Sequence, residues 1–388
     1  MEREIYFDNS ATTPVHQEVA DLMHETMNRN FGNPSSLHKK GIQAEQGVNH
    51  ARKILAAALE VHPEEIYFTS GGTESNNMAI KGICHANKSR GNHIITSNVE
   101  HPSVLNVYDH MEELGFRVSF LHVQENGVVD TEELKELLCH DTLLVSLMHV
   151  NNESGAIQPI QEVGKILKDY HKKVYYHVDT VQSFGKLPVF PDKWGIDMLS
   201  VSGHKLHGSK GSGLLYLRKG TRIKALVEGG GQEKRMRSGT ENVPGIVGLG
   251  KAVELAMKDR EEHVKKMAAI RETLASRIKE QVPDCKINSN FDDTGAPHIL
   301  NISFPGIKSE VLLHYLEQDG IYVSSGSACS ARKGKLSHVL TAMHLTDEEM
   351  EGSIRFSFSY MNELEEVVPV AESVGKAVRE LQQLTGRG

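Results

Sequence analysis

Cysteine is scarce in these 388 residues: Cys84, Cys139, Cys285 and Cys329 are all there are. They are scattered, with no C-x-x-C pair and no metal-ligand spacing, so the plain reading is free thiols in a reducing compartment. The 21 histidines form no H-E-x-x-H or similar ligand pattern, and no structural metal is expected. No apolar run is long enough to span a bilayer. The opening, MEREIYFDNSATTP, lacks a basic segment followed by an apolar run, so no secretory signal is expected and the cytoplasm is the expected location. Positive charge is not in excess: 43 basic residues stand against 51 acidic ones, a net charge of −8. That balance argues against nucleic acid or a membrane as a direct partner. Internal repeats and low-complexity tracts are missing too.

What is there fits a globular chain long enough for two cores, with 39% hydrophobic and 24% charged residues. Short apolar runs alternate with helical stretches. Glu65–Thr69, His93–Thr96, Leu143–Met148, Val174–Val178 and Asp197–Val201 read as strands. A helix is expected from Thr73, and another over Thr131–Leu138, capped by Asp130 and Glu133. This alternation predicts an α/β fold with a largely parallel sheet covered on both faces. After about Gly250 the character changes. Lys251–Gln281 reads as one or two charged amphipathic helices, followed by strands at Ile299–Phe304, Ile321–Val323 and Ser353–Ser359. These suit a smaller α+β domain.

Five local features carry chemistry. Lys205, in Ser202-Gly203-His204-Lys205, follows the Asp197–Val201 strand, and ligands bind at the carboxyl ends of strands in open α/β sheets. A desolvated lysine there forms Schiff bases readily, although most lysines are simply solvated. Asp179 ends the Val174–Val178 strand, with Gln182 close behind. Together with a lysine downstream, such a carboxylate suits a pyridoxal phosphate site, where it keeps the pyridine nitrogen protonated. Alone, it reads equally well as a helix N-cap. Ser70-Gly71-Gly72-Thr73-Glu74 lies between strand and helix and can cradle a phosphate, or merely connect the two. His101, after the His93–Thr96 strand, can stack on a ring and shuttle protons, or serve structure alone. Cys329 lies in Ser324-Ser325-Gly326-Ser327-Ala328-Cys329-Ser330, too polar and flexible for a core, with Arg332, Lys333 and Lys335 nearby to favour thiolate. Cys84 and Cys139 fall on helix patterns and read as apolar filler.

Together these elements resemble the cysteine desulfurases of the class V aminotransferase family, which are fold-type I pyridoxal-phosphate enzymes. The resemblance runs from Tyr6–Pro14 (YFDNSATTP) to Arg355-Phe356-Ser357. Between them lie FGNPSS at Phe31–Ser36, HVNNESG at His149–Gly155, SGHKLHGSKG at Ser202–Gly211 and RSGTEN at Arg237–Asn242. The order and spacing of these motifs carry more weight than any one of them. Gly72 stands where alanine is frequent, Thr180-Val181 where small residues are usual, and Ser209 where proline is usual; no reacting group is lost.

The resemblance implies a seven-stranded-type, mainly parallel sheet in a large cofactor-binding domain (residues 15–255). It also implies a small domain (1–14 and 256–388) that carries the cysteine loop. Lys205 would hold pyridoxal 5′-phosphate as a Schiff base and move the Cα proton, Asp179 would pair with the pyridinium nitrogen, and His101 would stack on the ring. Gln182 would bond the phenolic oxygen, with Asn152 assisting. Gly72, Thr73, Ser202 and His204 would hold the phosphate. Thr240 would reach the neighbouring subunit's cofactor, which implies a homodimer. Arg355 would clamp the carboxylate of L-cysteine, with Asn33 and Asn152 beside it. Cys329 would take the sulfur as a persulfide, leaving alanine, and pass it to a protein acceptor. An iron–sulfur scaffold and a tRNA-thiolation enzyme both fit that acceptor. The SSGSACS loop resembles the subclass whose cysteine loop is long and mobile. A selenocysteine lyase or an aminotransferase shares the fold, but transamination needs no mobile thiol. A scaffold without catalysis would not need Lys205, Asp179, His101 and Cys329 together.

Overall fold

The computed structural model describes residues 4–326 and 336–384. Cys329, Arg332, Lys333 and Lys335 therefore lie outside the described residues. The strands, in chain order, are β1 (Ile5–Tyr6), β2 (Ile66–Thr69), β3 (His93–Ser97), β4 (Arg117–Leu121), β5 (Thr142–Met148) and β6 (Tyr175–Asp179). They continue with β7 (Met198–Ser202), β8 (Gly213–Leu217), β9 (Lys286–Ile287), β10 (Ile299–Ser303), β11 (Ile321–Tyr322) and β12 (Ser353–Ser357).

Seven strands form one sheet in the order β2-β8-β7-β6-β5-β3-β4. Only β8 runs against its neighbours. The mainly parallel α/β architecture expected from the sequence is therefore present. Because parallel strands are joined by helical crossovers, both faces of the central strands are covered, and β3, β5, β6, β7 and β8 are buried along their whole length. β5 shows this directly: Val145 and Leu147 join the core on one face with Leu55, Tyr176 and Leu199. Leu144, pointing the other way, packs with Met78, Ile83, Ile94 and Tyr108.

A second core gathers Phe7, Ile270, Leu274, Leu300, Phe356 and Val374 around the antiparallel sheet β12-β10-β9 and the parallel pair β1-β11. The charged stretch after Gly250 is two helices, Val243–Lys258 and Arg260–Gln281. Val339, Leu340 and Met343 belong to the core of the large sheet, so the chain returns there late in the sequence.

Some local expectations are corrected. β4 and β8 were not legible as strands, and the Gly208–Gly213 run hides the start of β8. The helix Thr131–Leu137 is capped by Asp130, whose side chain accepts from the Glu132 N–H. Glu133 takes no part in that cap, because its carboxylate accepts from the backbone N–H of His122 at 2.7 Å. Cys84 is buried as expected. Cys139 is not: it lies beyond the helix, partly exposed, with Arg117 Nη2 2.9 Å from its sulfur.

Candidate active site

The carboxyl ends of β3, β5, β6 and β7 open into a cavity of about 580 Å³. This volume lies in the range of small-molecule sites. Gly72, Thr73, His101, Asn152, Asp179, Gln182, Ser202, His204, Lys205 and Arg355 all line it. The chain thus brings together residues far apart in sequence: most follow a strand of the large sheet or begin the helix beside it, while Arg355 comes from β12 of the second sheet.

Lys205 is held in a short turn, Gly203–Lys205, immediately after β7. Its ammonium donates to the backbone carbonyls of Ser10 at 2.5 Å and Ala11 at 2.7 Å. Burial, reinforced by the nearby Arg355 and Lys186 charges, lowers its pKa to about 7. A lysine so placed is a nucleophilic amine near neutrality. The opening segment is clipped over this turn, since Thr13 N–H donates to the His204 carbonyl at 2.9 Å. His204 sits against Thr12, its Nδ1 3.1 Å from the hydroxyl, and burial lowers its pKa to about 4.

Asp179 ends β6 and is buried. Its Oδ1 accepts from the Val181 N–H at 2.9 Å and its Oδ2 from Asn76 Nδ2 at 2.7 Å. Gln182 donates to the Ser10 carbonyl at 3.0 Å, while its own buried Oε1 has no partner. The helix Gly72–Asn87 begins at Gly71 without any side-chain cap. Gly71 has φ +149°, a conformation that favours glycine, and a Cβ on Gly213 would lie 2.5 Å from the Gly71 Cα, so β8 approaches this turn closely only because position 213 is glycine. The uncapped helix start adds unpaired N–H groups and a positive dipole end.

His101 caps its own helix: its Nδ1 accepts from the Ser103 N–H at 3.1 Å. Burial holds its imidazole below the usual histidine value. Arg355, on β12, donates through Nη2 to Asp8 and through Nη1 to the Asn152 carbonyl, each at 2.8 Å. Asn33 and Thr240 are exposed and lie outside the cavity lining.

Sequence reasoning missed Ser10, Asn76, Ser103, Glu153 and His338, which also line the cavity. Ser10 lies within the Tyr6–Pro14 motif, and Asn76 is one helical turn beyond Thr73, so position alone offered a signal for both. Among the described residues, no group of three or more His, Cys, Asp or Glu is placed to hold a metal ion, and no helix is long and apolar enough to cross a membrane.

An amine and a carboxylate face one cavity over a mainly parallel sheet, beside an uncapped helix start, an arrangement compatible with the class-V aminotransferase family. The sequence pattern of that family, "Aminotransferase class-V", matches residues 5–370. A cysteine desulfurase IscS of Methanosarcina thermophila is 45% identical over 383 residues, covering 99% of this chain and 94% of the relative. One from Dictyoglomus turgidum is 42% identical over 385 residues, covering 99% of this chain and 97% of the relative. A solved NifS-like protein superposes with a TM-score of 0.92 at 39% identity, covering 97% of this chain and 100% of that one. Another, from Rickettsia africae, gives 0.86 at 34% identity, covering 98% and 100%. The chain belongs to the class-V aminotransferase family and, within it, to the cysteine desulfurases of the IscS and NifS type.

Enzymes of this family work with pyridoxal phosphate. The donor set here fits that group: the uncapped helix start would suit its phosphate, Asp179 its ring nitrogen and Lys205 its aldehyde, with Gln182, whose Oε1 alone lacks a partner, in the same lining.

Proposed function

We propose that this chain binds pyridoxal 5′-phosphate in the cavity and converts L-cysteine to L-alanine, leaving the sulfur as a persulfide on Cys329. The observation that carries the reading is that Lys205, Asp179 and Arg355 line one cavity. Bound there, the cofactor supplies an electron sink that makes the substrate Cα–H acidic and loosens its C–S bond.

The chain's own residues do the rest. Arg355 presents donors to the substrate carboxylate, with Asn152 and Asn33 assisting. Lys205, its pKa lowered to about 7 by burial, takes the Cα proton as the neutral amine. Asp179 keeps a proton on the ring nitrogen, and His101 packs on the ring face. Gly72, Thr73, Ser202 and His204 hold the phosphate, and Gln182 bonds the ring oxygen. The Cys329 thiolate attacks the substrate sulfur: an S–S bond forms, the C–S bond breaks, and its electron pair stays on the carbon, which is protonated to alanine.

The same reading includes a homodimer, in which Thr240 completes the partner's phosphate site, and a cytoplasmic location. It divides the chain into a large domain (15–255) and a small one (1–14 and 256–388). It assigns sulfur delivery to a protein acceptor, an iron–sulfur scaffold or a tRNA-thiolation enzyme.

Cys329→Ser tests the reading. The variant keeps the yellow cofactor and loses sulfide release from cysteine in the presence of a thiol reductant. Sulfide production at the wild-type rate would remove Cys329 from the reaction.

A further inference from the structure

Asn76 occupies an unusual position in the cavity wall. It is fully buried on the Gly72–Asn87 helix, one turn from the uncapped helix start. Its amide nitrogen makes two contacts: Asp179 Oδ2 at 2.7 Å and Ser103 Oγ at 2.9 Å. Its amide oxygen is buried and has no partner. Both hydrogens of the amide are thus used, and its orientation is set by the carboxylate, which can only accept. An unpaired buried acceptor is unfavourable in itself, so the amide is held there by what its nitrogen does.

The chain of bonds continues with a direction. Ser103 Oγ accepts from Asn76, which leaves its own proton free to donate. Its neighbour on the far side is His101 Nδ1, 2.8 Å away. The same nitrogen already accepts the Ser103 backbone N–H at 3.1 Å. Two donors converge on Nδ1, so the neutral imidazole must carry its proton on Nε2. A single relay, Asn76 to Ser103 to His101, therefore connects the carboxylate at the end of β6 to the histidine after β3.

We propose that Asn76 and Ser103 are positioning residues of this site: Asn76 aims the Asp179 carboxylate, and Ser103, through its hydroxyl together with its backbone N–H, holds His101 as its Nε2–H tautomer. This rests on the cofactor binding proposed above. Neither side chain reacts. Asn76 acts through Asp179 on the cofactor ring nitrogen, and Ser103 acts through His101 on the proton inventory of the ring face. The division of labour makes the two separable.

The test uses the cofactor-loaded protein with 15N-labelled histidine, in wild type, Asn76→Leu, Ser103→Ala and Ser103→Thr. Asn76→Leu is expected to bind pyridoxal phosphate roughly 10- to 100-fold more weakly, as the loss of a hydrogen bond to a charged group implies. Its visible absorption band should also titrate at a different pH. Ser103→Ala keeps the backbone N–H on Nδ1, so it should keep wild-type cofactor affinity and an unprotonated Nδ1 but move the His101 Nδ1 resonance toward that of a less hydrogen-bonded nitrogen, and Ser103→Thr should restore it. The His101 signal is identified by its absence from His101→Asn. If Asn76→Leu does not fold, Asn76→Asp, of the same volume, turns a donor toward Asp179 into an acceptor and should weaken binding in the same way.

Wild-type affinity and an unchanged band in the Asn76 variant, or an unmoved His101 resonance in Ser103→Ala, would overturn the inference alone. A wild-type protein that takes up no pyridoxal phosphate would instead overturn the proposed function.

Discussion

Arg355 and Asp8 form an ion pair at 2.8 Å, with side-chain exposures of only 4% and 20%. One comes from β12 and the other from the segment just beyond β1, and an isolated bridge between Asp8 and Ser357 seats that segment against the strand. The pair, with the Asn152 carbonyl on the other amino group, fixes the plane of the guanidinium. Its buried Nε has no partner. The fork is therefore oriented before any substrate carboxylate arrives, which lowers the ordering cost of binding.

Replacing Arg355 by Lys removes the planar fork while keeping the charge. The Michaelis constant for cysteine should rise about 10- to 100-fold, with a smaller effect on kcat. Steady-state kinetics across a range of cysteine concentrations would decide it, and an unchanged KM would take Arg355 out of substrate binding.

The lowered pKa of Lys205, about 7, has a kinetic signature. Below that pH the amine is protonated and cannot attack the cofactor aldehyde; above it the amine is free. The rate at which apo-protein takes up pyridoxal phosphate should therefore rise through about pH 7 and level off. A rate still climbing toward pH 10 would mean an ordinary solvated lysine.

Glu100 offers a stability test. It is fully buried, and burial raises its pKa to about 8, with the nearby Asp179 adding a smaller push. Its Oε1 accepts from Ser97 and from the Met148 N–H, while Oε2 has no partner. Between about pH 4.5 and 8 the folded chain holds a proton that the unfolded chain has lost, so this group's contribution falls as pH rises. Glu100→Gln mimics the protonated form and removes that dependence. Its unfolding free energy, read from denaturant titrations, should gain on wild type from pH 5 to pH 8, by an amount on the order of a few kcal/mol at most. A constant difference across this range would show that Glu100 is not held protonated.

The large sheet was legible where strands are buried on both faces and rich in apolar residues, as in Leu143–Met148. Arg117–Leu121 escaped because it is the edge strand β4, with Arg117 and Phe120 exposed, so its pattern is not that of a covered strand. Gly213–Leu217 was masked by the glycine-rich run that leads into it, whose last member, Gly213, lies against Gly71. At the site, Lys205 and Asp179 could be read because each sits directly after an apolar run. Asn76, Ser103 and Asp8 could not, since their importance lies in which side chain they touch across the fold, and that follows from tertiary contact alone. Cys139 was misjudged for the same reason: Arg117 reaches it from a strand that the sequence pattern did not disclose.

The central claim is that the amine of Lys205 holds the cofactor opposite Asp179. Borohydride reduction of the yellow protein, followed by proteolysis and mass spectrometry, tests it most directly. The account predicts a phosphopyridoxyl group on the peptide containing Lys205 and its loss in Lys205→Ala. Labelling of a different lysine, such as the neighbouring Lys186, or of none, would contradict it.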